Sequence, residues 1–461
     1  MKSGNTEAIK TVLTRIQSYG ERPALFWKAR EYTYTDLTQM ITSWLDRFKQ
    51  DGVRDGSVCA FVGDYSPQTC SLMFALMKVG AVLVPFTSEV RAEMQSFMTL
   101  AGVEYLFEFD ENDAHRLLKF SGAKPAELVA TFYNRERPGL IVFTSGSTGK
   151  PKGILHDCEL VMRKFEKPRK AWRTILFLLM DHFGGFNTFL ATFANGGVGI
   201  CPEKRTANSV GKAIADGRAE LLPATPTFLN LMAVNQVHRT HDLTSVELIT
   251  YGTELMSEST LQKCLEIFPN AQLKQTYGLS ELGVLRSNSA SKDSVWVKIG
   301  GAGFEVKVVD GTLWVRSESN MVGYLNAPSP FDEDGWMCTG DQVEMREGFV
   351  RFLGRKAELI NVGGKKVYPI EVETVLMEAE NIKHATVFGK VHPIMGQVVH
   401  AQISVFVDED PTKVTERLRA FCNQRLAQYK VPMRFNLVSE EDHHNSRFKK
   451  VRRDKGAPQP T

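Results

Sequence analysis

Residues 143–153 read Phe143-Thr144-Ser145-Gly146-Ser147-Thr148-Gly149-Lys150-Pro151-Lys152-Gly153. The run leading into them, Gly139-Leu140-Ile141-Val142-Phe143, has the length and apolar character of a buried strand. The strand gives way to four hydroxyls (Thr144, Ser145, Ser147, Thr148), three glycines and two lysines. Glycines let backbone N–H groups turn toward an anion, hydroxyls add small donors, and the lysines add positive charge. Such a loop at a strand end suits a polyphosphate. The common NTPase phosphate loop is a different object, with four residues between its glycines and a Gly-Lys-Ser/Thr ending that opens a helix. Here two residues separate Gly146 from Gly149, and Pro151 restricts Lys150 away from helical geometry. A solvated Ser/Gly linker is the plain alternative, and so ordered a succession behind an apolar strand speaks against it.

Upstream of the loop, strand and helix patterns alternate. Residues 6–20 have a helical period, 24–27 and 32–34 suggest a hairpin, and 35–48 a helix. A strand over 58–62, a helix over 67–79 capped by Gly80, and a strand over 81–85 come next. Helical 92–101 and extended 104–107 complete a pattern expected of a parallel, doubly wound sheet. Downstream, 158–167 is helical and 173–180 reads as a buried strand leading into Asp181-His182-Phe183-Gly184-Gly185. Helix 208–217, strand 219–222, helix 227–234 and strand 246–250 continue the alternation, the last ending at Tyr251-Gly252-Thr253-Glu254. From residue 295 to 354 short strands with Asp-Gly and Glu-Gly turns replace it.

The chain has 461 residues, enough for more than one domain. Fifty-six Lys plus Arg against 53 Asp plus Glu leave a net charge of +3, which argues against a nucleic-acid binder. Seven scattered cysteines without a C-x-x-C pair suggest neither a zinc site nor a disulfide framework. No secretory segment and no long apolar span is visible, so a cytoplasmic enzyme is expected.

The loop TSGSTGKPKG, with YTYTDL (32–37), LMKVGAVLVPF (76–86), YGLSE (277–281), TGD (339–341) and Gly354-Arg355 in that order, resembles the adenylate-forming enzymes. These are acyl- and aryl-CoA ligases, peptide-synthetase adenylation domains and firefly-type luciferases, and the resemblance runs from about Tyr32 to Arg452. It implies an α/β fold: a large domain of doubly wound sheets over 1–354, with a small β-barrel-like subdomain over 295–354. A small mobile α+β domain over 355–461 completes it. It implies two half-reactions, in which ATP and a carboxylate give an acyl-adenylate and pyrophosphate, and a thiol then displaces AMP.

Residue by residue, the resemblance gives the phosphates to Thr144, Ser145, Gly146, Ser147, Thr148, Gly149 and Lys152, and Mg²⁺ to Glu281 and Thr144. Tyr277 stacks on adenine, with Gly278 beside it, and Ser280, in place of the family's Thr, keeps a hydroxyl for the α-phosphate. Gly252, Thr253 and Glu254 lie along adenine and acyl group. Asp341 accepts from the ribose hydroxyls, Arg355 contacts ribose or phosphate, and Gly363 with Gly364 lines the thiol route. His182 matches the residue that gates the acyl tunnel, although a lone His is often a hydrogen-bonded core residue. The catalytic lysine falls on Lys449, with Lys450 as its rival.

Three departures stand out. Ala357 occupies the usual hinge position, Phe448 replaces a glycine, and Phe183 stands where amino-acid-activating relatives carry an Asp. The last favours an aromatic or aliphatic acid, while neighbouring Asp181 keeps an amino acid open. The thiol belongs to CoA or to a separate carrier protein's phosphopantetheine. A luciferase-type enzyme, a P-loop ATPase and a catalytically impaired ATP-binding module are the competing classes.

Overall fold

The computed structural model describes residues 6–122, 124–144, 151–289, 291, 294–301 and 303–443. Two seven-stranded sheets form the large domain's body. In the first, strands Val58–Val62, Val82–Phe86 and Gly139–Thr144 run parallel, with Tyr105–Phe109 parallel on the outer side. The strands Val58–Val62 and Val82–Phe86 are buried throughout, which is why they read as unbroken apolar runs rather than alternating ones. In the second, Gln272–Gln275, Leu248–Tyr251, Leu221–Ala224, Arg173–Ile175, Val198–Ile200 and Pro23–Trp27 are all parallel. Helices cover them. Pro67–Val79 begins at a Ser66–Thr69 capping box with Pro67 in its first turn, and ends at Gly80 with φ of 87°. Tyr34–Asp51 begins at the Thr33–Asp36 box.

Two features depart from what the sequence suggests, and a third, the hairpin around the loop, adds to it. The segment after Ile175 is not a strand: residues 176–180 are largely buried but irregular, and His182 N–H bonds back to the Leu179 carbonyl before helix Phe183–Ala194. Its apolarity reflects burial without sheet pairing. The 143–153 loop closes a hairpin, since Lys152–Asp157 returns antiparallel to Gly139–Thr144 with Thr144 opposite Lys152. The β-rich sheet also begins upstream of residue 295, because Tyr277–Leu279 and Gly283–Ser289 join Val297–Gly300, Phe349–Arg355, Met337–Arg346, Thr312–Ser317 and Phe304–Val309 in one seven-stranded antiparallel path.

Beyond Arg355 and the short turn Lys356–Glu358, strands Ile360–Val362, Lys365–Val367, Ile382–His392, Gly396–Val405 and Arg434–Leu437 build a five-stranded sheet covered by helices Pro369–Met377 and Pro411–Asn423. This smaller unit meets the large domain where Asn230 Nδ2 lies 3.2 Å from His384 Nδ1. Six of the seven cysteines are buried and Cys338 is exposed. No helix of the described residues is long and apolar enough to cross a membrane.

Candidate active site

The parallel strands of both sheets deliver their carboxyl ends to one region, the usual ligand face of open α/β sheets. Thr144 ends one strand, Gly252 follows Leu248–Tyr251, and Thr276 follows Gln272–Gln275. Ser145, Gly146, Ser147, Thr148, Gly149 and Lys150 of the loop, and the tail lysines Lys449 and Lys450, lie outside the described residues.

Lys152 and Glu281, read from separate motifs, meet on one tyrosine. The Tyr324 hydroxyl donates to Glu281 Oε1 over 2.7 Å, and Lys152 Nζ sits 4.8 Å from the centre of the Tyr324 ring. Tyr324 belongs to the two-residue strand Gly323–Tyr324, antiparallel to Lys152–Asp157. Two positions on, Asn326 accepts from Gly153 N–H over 3.1 Å and donates to the Pro151 carbonyl over 2.9 Å. Leu325, between them, packs on the other side, where a Cβ on Gly153 would stand 2.9 Å from Leu325 Cδ1. A side chain at the last glycine of the loop motif would press on Leu325 and Phe143. Burial and the Glu281 charge together push the Tyr324 hydroxyl far above its ordinary range, so it stays a donor.

A second cluster joins Tyr277, Asp341 and Arg355. Tyr277 Oη donates to Asp341 Oδ2 over 2.6 Å, and Arg355 Nε lies 3.3 Å from Asp341 Oδ1. The Asp341 N–H bonds Thr339 Oγ1, and that hydroxyl donates to the Leu313 carbonyl, which orients the Thr-Gly-Asp turn. Burial raises Asp341 above the usual carboxylate range, and Arg355 opposes it. One face of the Tyr277 ring stacks on Phe352 at 4.7 Å and 20°. Gly278 owes its identity to the sheet, since a Cβ there would stand 2.7 Å from the Gly283 carbonyl oxygen.

Other expected site residues have structural partners. A Cβ on Gly252 would stand 2.6 Å from the Thr276 carbonyl oxygen, so the glycine's room is already taken by protein. Glu254 turns to the start of helix Pro226–Val234, accepting from Thr227 N–H over 3.2 Å and Thr227 Oγ1 over 2.6 Å. Thr253 is exposed with φ of 68°, a strained conformation for a β-branched residue. His182, half-buried, is the residue preceding helix Phe183–Ala194. Its neighbour Asp181 is buried and accepts from Thr87 Oγ1 over 3.0 Å. Gly363 and Gly364 have φ of 56° and 84° in an exposed turn, and the Gly363 N–H bonds the Met395 carbonyl.

Tyr324, Asn326, Phe352 and His156 escaped the sequence reading. The alternation Tyr324-Leu325-Asn326 was the available signal, with two polar side chains on one face and an apolar one on the other. His156 is fully buried, its ring 4.5 Å from that of Phe183 and beside the Ser280 backbone, and burial pulls its pKa down to about 3.

The family profile described as AMP-binding enzyme matches residues 13–325, and that described as AMP-binding enzyme C-terminal domain matches 371–449. A 2-succinylbenzoate–CoA ligase of Listeria monocytogenes is 25% identical over 92% of this chain and 94% of its own. An indoleacetate–CoA ligase of Aromatoleum aromaticum is 26% identical over 94% of each chain. The crystal structure of an anthranilate CoA ligase in complex with anthranoyl-AMP superposes with a TM-score of 0.81 at 18% identity, covering 96% of this chain and 95% of that one. The o-succinylbenzoate CoA synthetase of Bacillus subtilis in complex with its acyl-adenylate gives 0.76 at 20% identity, covering 96% of each chain.

Proposed function

We propose, since the chain belongs to the family of AMP-binding enzymes, that it activates a carboxylic acid as an acyl-adenylate and passes the acyl group to the thiol of CoA. The observation that carries this reading is the meeting of Lys152 and Glu281 on one tyrosine, Tyr324, whose ring lies by the lysine and whose hydroxyl donates to the carboxylate, next to the strand end Thr144.

Lys152 and the loop hydroxyls hold the β- and γ-phosphates, and Asp341 accepts from the ribose. The acid's carboxylate oxygen attacks the α-phosphorus. The bond between the α-phosphorus and the α,β-bridging oxygen breaks, and its electron pair leaves with pyrophosphate. Lys449 meets the negative charge that builds at the α-phosphate. Catalysis of this kind is chiefly positioning and electrostatics. In the second step the CoA sulfur attacks the acyl carbon, AMP departs with the bonding pair, and the thiol proton goes to solvent. Gly363 and Gly364 line that thiol's approach.

Thr144 and Glu281 offer oxygen donors, the kind magnesium prefers. Among the described residues no cluster of three or more His, Cys, Asp or Glu forms a closed cage. A cation held by one or two protein oxygens and completed by phosphate and water fits that set. Bound there, magnesium would neutralise phosphate charge that repels the incoming carboxylate.

The names of the relatives point to an aromatic acid. The inward-turned Asp181, held by Thr87, supports an acid without an ammonium group over an amino acid. Acid-dependent ATP–pyrophosphate exchange over aryl, arylalkyl, fatty and amino acids tests the reading, with CoA and carrier-protein phosphopantetheine as acceptors. Exchange driven by an aryl acid is the expected result, and release of ADP and phosphate alone refutes it. Lys449→Ala should abolish exchange while sparing thioester formation from preformed adenylate.

A further inference from the structure

Tyr324 touches two opposite charges, Lys152 and Glu281, which form no ion pair with each other. Its ring face receives the Lys152 ammonium and its hydroxyl is spent on one oxygen of Glu281. Among the described residues Glu281 Oε2 has no hydrogen-bond partner. An ammonium is attracted to the electron-rich face of an aromatic ring, and a phenol that donates to a carboxylate is polarised in the direction that strengthens this attraction. Each charge is therefore partly satisfied, and neither is neutralised by the other.

The segment carrying Tyr324 is fastened to both partners. The Leu325 N–H bonds the Gly153 carbonyl over 2.8 Å and the Val322 N–H the Leu155 carbonyl over 2.7 Å, on the lysine's strand. The Met321 N–H bonds the Glu281 carbonyl over 2.8 Å. Backbone register thus fixes the ring relative to both side chains at once.

We propose that Tyr324 is a positioning residue that keeps Lys152 and Glu281 apart and leaves one Glu281 oxygen directed to a divalent cation. It rests on the ligase reading for the identity of the phosphate ligand, and its test is chosen to separate the two.

The test uses the full chain as wild type, Tyr324→Phe and Tyr324→Leu. Manganese binding in the presence of ATP is followed by the EPR signal of the free ion, and acid-dependent pyrophosphate exchange is titrated with magnesium. Loss of one charge-assisted hydrogen bond predicts about tenfold weaker manganese binding in Tyr324→Phe. At saturating magnesium this variant should recover its rate to within about twofold, with KM for the acid unchanged, because the loss is confined to metal binding. Tyr324→Leu removes the ring as well, so Lys152 closes on Glu281 and KM for ATP rises about tenfold even at saturating magnesium. Unchanged manganese binding in Tyr324→Phe, or a rate loss equal at every magnesium concentration, overturns the proposal. Should Tyr324→Leu not fold, the Tyr324→Phe result decides. A wild type without acid-dependent exchange refutes the ligase reading, while manganese affinity still judges Tyr324.

Discussion

The Tyr277 hydroxyl donates a 2.6 Å hydrogen bond to Asp341, tying together two motifs 64 residues apart. Tyr277 opens the antiparallel sheet and Asp341 lies in a strand of the same sheet, with Phe352 stacked beneath the tyrosine ring. The carboxylate is buried, and Arg355 at 3.3 Å and the phenol together hold it in place.

Asp341→Asn should raise KM for ATP about 10- to 100-fold with a smaller change in the rate at saturation, the loss of charged acceptance from ribose. Arg355→Gln removes the cation that opposes burial, so Asp341 takes up its proton at higher pH. ATP affinity in that variant should fall on the acid side first. Steady-state kinetics from pH 5 to 8 check both.

Glu254→Ala separates structural support from ligand contact. Its carboxylate accepts from Thr227 N–H and hydroxyl at a helix start, so the variant should lose about 1–2 kcal/mol of stability while KM for ATP stays within about threefold. A tenfold rise in KM without loss of stability in urea denaturation would instead place Glu254 in contact with the nucleotide.

His156 is neutral when folded, held near pKa 3 by burial against an ordinary value of 6.5. The unfolded chain therefore binds the extra proton between these limits, and stability contributed by the neutral ring is full above pH 6.5 and lost as pH falls toward 3. His156→Gln should flatten the acid limb of the stability curve between about pH 4 and 6. An acid limb identical to wild type would show that His156 does not titrate on unfolding.

Gly153→Ala should cost about 1–3 kcal/mol, because the new methyl meets Leu325 and Phe143 in packed surroundings. Thr253→Gly should go the other way, gaining about 1 kcal/mol by relieving the φ of 68°. Chemical denaturation of the two variants measures both signs.

Much of the scaffold was readable in the residues alone, for physical reasons. Gly80 announces the end of a helix because left-handed backbone is a local property. The all-apolar strands announce a sheet covered on both faces. The 176–180 run misled because apolarity reports burial, which an irregular segment shares with a strand. Gly252 and Glu254 carry contacts the sequence does not show: a small residue and an acid at a strand end suit a ligand loop, and Thr276 and Thr227 also engage them, partners that only tertiary contact reveals. Tyr324 stayed hidden because its significance lies in what it touches, residues 152 and 281, far away in the chain.

With six thiols sealed in the interior, Cys338 is the single cysteine open to reagents, and it sits three residues ahead of Asp341. The natural chain thereby carries its own labelling point close in sequence to Asp341, the carboxylate proposed to take the ribose. A maleimide dye attached there would test by fluorescence whether nucleotide arrives beside Asp341, without any cysteine having to be introduced or removed.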